Sequence, residues 1–397
     1  MTERYRFLDL PMDFWLRVVG DFLTGFGRSM LIPFMLIYLK QESGLATWTV
    51  TLLTAIPQFF QLFSSSWGGV LADRYGRKPI MWISLLGSGL VLTLMLSSNY
   101  VVVYIGYVLF LIVANFYRPA AMAMITEIVP PARHREAFSI LRMTANLGFS
   151  LGPLVGSLLF FTHRPLAIAG TISAYLITAA TVFFLRETVM PGVQGNMAAK
   201  MQNPLGSLHL LKRDAQLRWA VLTGVFFLMV QLQMFTSFTV IVNDEFQDNG
   251  RTLAYLLLIN TVGVVFGQYF VTRRTNEVSF TKLLFVAIIF AGVGWGLLLF
   301  PLGSVRFYLV LALVTIGELL MSSGYNPFIA SLAHEGEVAQ YMSFTQTSSI
   351  VALMLGPTIG ALGYDLGGQT GYVLVLWALL LLSYFSLQKL KRLVVEG

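Results

Sequence analysis

The chain has 397 residues, of which 56% are hydrophobic and only 11% are charged. A soluble domain has about 25% charged residues, so this composition excludes a water-soluble protein and predicts one that crosses a membrane many times. The net charge of +7 does not indicate nucleic-acid binding, because the basic residues cluster on one side of the predicted spans. The chain has no cysteine, which excludes disulfides and thiolate metal sites.

Apolar runs long enough to cross a bilayer recur along the whole chain, and a span needs roughly 20 mostly apolar residues. They predict twelve transmembrane helices, at about 14–38, 46–68, 79–98, 101–124, 137–161, 165–185, 217–242, 253–272, 281–300, 305–331, 341–364 and 369–388. The first run lacks the features of a cleaved signal peptide, so we expect it to be a retained helix.

Lysine and arginine are distributed unequally between the two sides. If the N-terminus is cytoplasmic, the opposite side holds only Lys40, Arg164, Arg251 and Arg306, and the cytoplasmic side holds most of the other basic residues. Positive residues favour the cytoplasmic side. We therefore expect both termini to be cytoplasmic, in the inner (plasma) membrane of a bacterial cell.

The longest interruption between spans lies at about 187–216, and it divides the helices six and six. It predicts an N-terminal bundle at 1–186, a cytoplasmic linker at 187–216 and a C-terminal bundle at 217–397. Within the linker, residues 205–211 fit either a segment on the membrane surface or a plain flexible connection.

The two halves share motifs at matching helix positions. Tyr117-Arg118-Pro119 in the fourth helix is echoed by Tyr325-Asn326-Pro327 in the tenth, and residues 152–156 in the fifth by 356–360 in the eleventh. Such repetition indicates an internal duplication, from which many secondary transporters are built. We expect an all-α membrane protein of two pseudo-symmetric six-helix bundles.

A charged, glycine-containing loop separates the second and third predicted spans. Its sequence is Gly69-Val-Leu-Ala-Asp-Arg-Tyr-Gly-Arg-Lys78. A second glycine motif, Gly148-x-x-x-Gly152-Pro153-x-x-Gly156, places three glycines on one face of the fifth helix. Small residues permit close helix packing in lipid, and a proline bends a helix. The second motif therefore predicts a close, slightly hinged helix contact.

Together these motifs resemble those of the major facilitator superfamily, whose cytoplasmic signature residues 69–78 match at every defining position. The glycine motif is similar to the fifth-helix signature of its twelve-helix drug:proton antiporters. The resemblance implies export by alternating access. It also implies a conformational latch in which Asp73 contacts the N-terminal end of the eleventh helix, near residues 341–344. The latch would comprise Gly69, Asp73, Arg74, Gly76, Arg77 and Lys78. Alternatively, the bases only anchor the loop inside the cell.

The resemblance also implies a functional acid in the tenth helix, at Gly317-Glu318. An intramembrane acid is a functional candidate because burying its charge is costly. Glu318 is thus predicted to carry the coupling proton; the alternative is a neutral structural acid bonded to Ser322. The chain departs from some relatives by offering Gln231 and Gln233, not an acid, in the seventh helix.

Three further charges lie at a similar depth of ~10 Å in the N-terminal half, given the 1.5 Å rise per residue. They are Asp21, Arg118 and Arg142. An acid between two bases reduces the cost of burying each charge, so we expect a network among them. Asp21 would take part in proton coupling or gating, or else tie the half together.

Arg28 lies near mid-membrane, two turns beyond Asp21. Arginine keeps its proton, so this residue needs an acid, water or an anionic substrate group. Glu318 is one candidate partner, and direct substrate contact is the alternative. Other polar side chains are expected to line the cavity or to bond helix to helix, and the candidates for the cavity are Arg28, Arg118, Arg142, Asn115, Gln231, Gln233, Ser322 and Asn326.

The sequence thus predicts a monomeric transporter that exchanges amphipathic drugs or similar small molecules for protons, with neither metal nor cofactor. One rival keeps the fold and moves an anionic metabolite, peptide or lipid through an arginine-lined cavity. A second is an intramembrane enzyme, but Gly148-Phe-Ser150-Leu-Gly152 lies inside a predicted span and no histidine is near it. A third, a receptor without transport, does not explain the duplication.

Overall fold

The computed structural model describes residues 10–130, 133–188, 208–248, 250–275, 277–334 and 337–396. Regular secondary structure in these ranges is entirely helical. The first seven helices are α1 (Met12–Ser43), α2 (Thr47–Tyr75), α3 (Arg77–Leu92), α4 (Tyr100–Ala114), α5 (Tyr117–Ile128), α6 (His134–Leu159) and α7 (Arg164–Phe184). The remaining helices are α8 (Leu208–Arg213), α9 (Ala215–Gln231), α10 (Ser237–Phe246), α11 (Arg251–Thr275), α12 (Phe280–Gly296), α13 (Val305–Ser331) and α14 (Val338–Glu396).

Local chemistry sets several helix ends. Asn99 precedes α4 and accepts a hydrogen bond from the Val101 amide at 2.9 Å, and Asp214 caps α9 through the Leu217 amide at 3.0 Å. These caps satisfy amides that have no partner inside the helix. In α14, Gly367 and Gly368 leave helical geometry, so this element consists of two helices across a kink.

Nine segments of the described chain are long and apolar enough to cross a membrane. The last of them, Gln340–Val394, contains the kink at Gly367 and Gly368. The predicted all-helical membrane fold is therefore confirmed. Helices lie in each of the twelve predicted ranges, but the number of membrane crossings stays a prediction.

The chain divides into two compact units, one of residues 1–35 and 59–201 and the other of 36–58 and 202–397. The division near the end of the first half falls within the predicted linker, most of which, at 189–207, lies outside the described residues. The C-terminal end of α1 and the N-terminal part of α2, within residues 36–58, are counted with the second unit, a feature that the sequence did not predict. Of the segment 205–211, only the part within α8 is described.

The glycine face of α6 lies against α1 in the first unit. A Cβ atom at Gly148 would meet the Phe22 carbonyl oxygen at 2.5 Å, and one at Gly152 would overlap the Ser29 hydroxyl. Ser29 in turn donates a hydrogen bond to the Gly148 carbonyl at 3.2 Å. Pro153 lies inside α6, and Gly156 approaches the Met30 backbone. The backbones therefore pack without intervening side chains, which is the means of association open to helices in lipid.

We expect Gly152→Ala to destabilise the protein by about 1–3 kcal/mol, because the added methyl group overpacks the contact between α6 and α1. Thermal unfolding of purified protein in detergent measures the effect. Gly292→Ala in α12 is the matched control, since its Cβ would make an ordinary contact of 3.6 Å with Leu380. Equal melting temperatures for the two variants would contradict this account of the packing.

Candidate functional site: a carboxyl group held by amides

Glu318 lies in the middle of α13 and receives hydrogen bonds from two other helices. Its Oε2 atom accepts from Asn260 Nδ2 of α11 at 3.1 Å and from Gln231 Nε2 of α9 at 3.4 Å. The preceding Gly317 lets α13 approach α12, since a Cβ there would lie 3.1 Å from the Ala287 carbonyl oxygen. Three helices thus converge on one carboxyl group.

The amides around Glu318 are themselves held in place. Asn260 Nδ2 also donates to Thr315 Oγ1 at 2.8 Å, and Gln231 Nε2 lies 3.4 Å from the Val314 carbonyl oxygen. Gln231 Oε1 is buried without a hydrogen-bond partner. No basic side chain of the described ranges pairs with Glu318, whose interactions are confined to these amides. Asn260 was absent from the sequence-based candidates, although an amide inside an apolar span is itself a signal.

The seventh predicted span is discontinuous beside this site. The α-helix α9 ends at Gln231, a 3₁₀ turn covers Leu232–Phe235, and Thr236 leaves helical geometry at φ −132° and ψ −105°. Gln233, two residues further on, turns towards α14 and donates to the Gly356 carbonyl at 2.6 Å. Gln233 is fully buried there, because the turn directs it into a contact between helices.

Asp21 pairs with Arg17, one helical turn earlier, at 2.8 Å. The arginine is 1% exposed and its guanidinium stacks on the ring of Tyr117, whose hydroxyl lies 3.5 Å from Asp21. The expected network of Asp21 with Arg118 is wrong in this structure, since Arg118 is exposed and forms no ion pair with a described residue. Arg17 lies four residues before Asp21 and so on the same face of α1. Its guanidinium therefore reaches the Asp21 carboxylate more easily than Arg118 does from another helix. The side chain of Arg142 lies outside the description.

Arg28 is half-buried in α1 and has no carboxylate partner among the described residues. Its charge acts on the phenol groups of Tyr107 and Tyr175, both buried in the first unit. Tyr175 packs edge-on against Phe110 at a centroid distance of 5.2 Å. Arg28 is therefore a cation within a span, near two buried phenol groups.

The remaining candidates do not converge on one place. Asn115 donates to the Gln61 carbonyl at 3.0 Å and to Ser64 Oγ at 3.1 Å, which ties α4 to α2. Ser322 donates to Gln268 Oε1 at 2.8 Å, and so it does not serve Glu318 as the alternative interpretation required. Asn326 is exposed.

The charged loop predicted at 69–78 is helical except at Gly76, since residues 69–75 end α2 and Arg77, which is buried, begins α3. Its guanidinium pairs with Asp73 and, at 3.2 Å, with Glu127 at the end of α5. Glu187, which follows α7, accepts hydrogen bonds from the backbone amides of Arg77 and Lys78, each at 3.0 Å. A carboxylate at this place accepts hydrogen bonds from amides that have no partner inside the helix. Its negative charge also interacts favourably with the positive end of the α3 dipole.

Glycine is required at position 76. Its φ of 100° is unfavourable for other residues, and a Cβ would lie 2.6 Å from Glu187 Oε2. At Gly69 a Cβ would lie 3.9 Å from the nearest atom, which belongs to Pro119, so a side chain there has room.

The other basic residues of the charged loop have separate contacts. Arg74 is exposed and lies over the Tyr75 ring, and Lys78 donates to the Phe183 carbonyl at 2.6 Å. Sequence reasoning missed Glu127 and Glu187, because their roles depend on how distant helix ends meet.

A second ionic cluster lies within the second unit. Lys40 Nζ is 2.6 Å from Asp244 Oδ2, which also accepts from the Tyr364 hydroxyl at 3.3 Å. Lys40 and Asp244 border a cavity of about 410 Å³. Among the residues that the structure describes, no group of three histidine or acidic side chains is arranged to hold a metal ion.

The sequence of this chain matches a known protein family. A model of the Major Facilitator Superfamily matches residues 18–357. The chain is 23% identical over 372 residues to a Na⁺, Li⁺, K⁺/H⁺ antiporter of Planococcus maritimus, covering 86% of this chain and 87% of the relative. It is 24% identical over 386 residues to a multi-drug resistance efflux pump of Streptococcus pneumoniae, covering 92% of each.

Solved structures show the same fold. A crystal structure of the peptide transporter POT in complex with sulfate superposes with a TM-score of 0.78 at 16% identity, covering 98% of this chain and 96% of the other. A bacterial homologue of the human lysosomal transporter Spinster gives a TM-score of 0.77 at 13% identity, covering 96% of each. At such identities the likeness concerns the fold alone.

We expect Glu187→Ala to destabilise the protein by about 1 kcal/mol, since two amides at the start of α3 lose their acceptor. The melting temperature of purified protein reports the change. Glu42→Ala removes an exposed acid at the end of α1 and is the control. If both variants melted like the parent, the contact of Glu187 with α3 would carry no stability.

Proposed function

Because the chain belongs to the major facilitator superfamily, and is a membrane transporter of small molecules rather than an enzyme, we propose that it exports amphipathic compounds in exchange for protons. The proposed setting is a bacterial inner membrane, with a monomeric protein and both termini in the cytoplasm. A single observation carries this proposal, namely the position of Glu318 inside a span with amides as its partners.

A carboxyl group held by amides differs from one held by a cation. An ion pair fixes the charged form of an acid, whereas amide groups serve both of its forms, since each carries a donor and an acceptor. When Glu318 is ionised, Gln231 and Asn260 donate to it. When it is protonated, its hydroxyl needs an acceptor, and Gln231 Oε1 is buried and free to serve after the amide rotates.

Proton movement at this site would be linked to a change in the helices that form it. Glu318, Gln231 and Asn260 lie on three helices, and α9 ends at Gln231. Discontinuous helices are typical of transporter sites, where a local break exposes the site to a cavity. Taking up a proton would favour one arrangement of these helices, and releasing it the other. Asp21, which pairs with Arg17 at 2.8 Å, would contribute a second acid.

Two relatives support exchange for protons and export. The name of the Planococcus maritimus relative describes exchange of monovalent cations for protons, and that of the Streptococcus pneumoniae relative describes multidrug efflux. The arrangement of Asp73, Arg77 and Glu127 supports the proposal that the loop 69–78 acts as a conformational latch. In that role, Asp73 would exchange Arg77 for another partner as the transporter changes state.

Glu318→Gln should abolish uptake driven by a pH gradient in inverted vesicles, because glutamine cannot exchange a proton. Substrate exchange without a gradient should continue, since the amide preserves the shape of the site. Fluorescence of a cationic dye measures both activities, and Glu42→Gln, which changes an exposed acid, is the control. Undiminished gradient-driven transport by Glu318→Gln would falsify the assigned role.

A second candidate function has the same fold but an anionic cargo. Arg28 supports it, because this cation lies within a span beside Tyr107 and Tyr175 and has no acid partner among the described residues. A carboxylate or phosphate group would provide the missing charge, and arginine binds both with two parallel hydrogen bonds.

If the cargo is anionic, Arg28→Gln should reduce its transport at least tenfold and leave transport of cationic dyes unchanged. Arg28→Lys should restore only part of the activity, since lysine lacks the planar fork of donors. Competition between labelled anions and dyes in liposomes separates the two cargoes. If the cargo is cationic instead, the parent protein should transport no anion. Arg28→Gln should then retain or improve the transport of dyes.

A further inference from the structure

An apolar groove lies on the outside of the first unit, between α3 and α7. It has a volume of about 310 Å³ and is lined by Trp82, Leu86, Leu176, Ala179, Ala180, Phe183 and Phe184. Phe183 and Phe184 are 61% and 72% exposed, and Trp82 is 39% exposed. The small side chains of Ala179 and Ala180 leave the space between the larger ones open.

The groove has a defined direction relative to the membrane surface. α3 starts at Arg77 beside the charged loop, and α7 ends at Phe184 beside the same loop, because Glu187 binds the first amides of α3. Trp82 and Phe183 therefore lie near the surface, and Leu86 and Leu176 lie deeper. From residue 176 to residue 184 the groove follows α7 for ~12 Å, the length of part of an acyl chain.

Basic groups lie at the surface end of the groove. Lys78 donates to the Phe183 carbonyl at 2.6 Å, and its ammonium lies 5.1 Å from the centre of the Phe183 ring. Arg186 follows Phe184 by two residues, is exposed, and forms no ion pair with a described residue. The neighbouring acid, Glu187, is turned away to the amides of Arg77 and Lys78.

These charges can favour one kind of lipid headgroup over another, which the apolar walls of the groove cannot do. Any lipid chain fills an apolar groove equally well, since lipid tails are as apolar as the walls. Basic residues beside a span attract anionic headgroups near the membrane surface. We infer that the groove binds an anionic phospholipid of the leaflet beside the charged loop. Its acyl chain lies between α3 and α7, and its phosphate faces Arg186 and Lys78. This inference does not depend on the cargo or on proton coupling.

Trp82 provides a direct probe, because bromine atoms on an acyl chain quench a nearby indole. The full-length protein would be placed in vesicles of phosphatidylcholine that contain a small fraction of dibrominated phosphatidylglycerol or dibrominated phosphatidylcholine. We expect the glycerol lipid to quench at least severalfold more strongly at equal mole fraction. The excess should vanish in Trp82→Phe and persist in Trp377→Phe, which removes a partly exposed indole of the second unit.

Changes in charge and shape then test the two parts of the site separately. Arg186→Gln should lower the relative affinity for the brominated glycerol lipid about fivefold, and Lys78→Gln with Arg186→Gln should abolish the preference. Arg392→Gln, at an exposed arginine of α14, should leave it unchanged. Ala180→Leu should weaken quenching by filling the groove. Equal quenching by both lipids in the parent, or a preference that survives the double substitution or Trp82→Phe, would overturn the inference.

Discussion

The cost of placing charge in an apolar medium governs this structure. An unpartnered ion inside a membrane is expensive, so a charged side chain within a span is favoured when it has a partner. Arg28 is an exception, with no acid partner among the described residues. The described chain uses three kinds of match. Arg17 neutralises Asp21 within one helix, amides from two helices hold Glu318, and two acids surround Arg77 at the end of a span. The kind of match determines what each group can do.

An acid paired with a buried cation shares the cost of burying the two charges, and removing either partner leaves the other uncompensated. Asp21 has such a partner in Arg17, which is buried and stacked on Tyr117. Glu318 has partners that tolerate either form, and one of them carries an unused acceptor. The two acids therefore differ in their partners, and the amides around Glu318 are of the kind that the proposed proton exchange requires.

The helices could be predicted from the sequence because apolar runs of span length have one physical explanation. The identity of Glu318 as a candidate also followed from its position inside such a run. Its partners did not follow, because contacts between helices depend on how each helix is rotated about its axis. Gln231 and Gln233 look equivalent in the sequence, yet the 3₁₀ turn after Gln231 sends them towards different helices. The ion pair of Arg17 with Asp21 could have been predicted, since it depends only on the spacing of the two residues along one helix.

The contact of Glu187 with the start of α3 has a practical consequence for engineering this protein. It joins the chain just after α7 to the charged loop, and Thr188 extends the junction by donating to Glu127. A fusion partner, affinity tag or protease site placed between Phe184 and Thr188 would pull the carboxylate away from the glycine turn at position 76. An insertion that keeps residues 184–188 continuous would leave these contacts with Arg77, Lys78 and Glu127 in place.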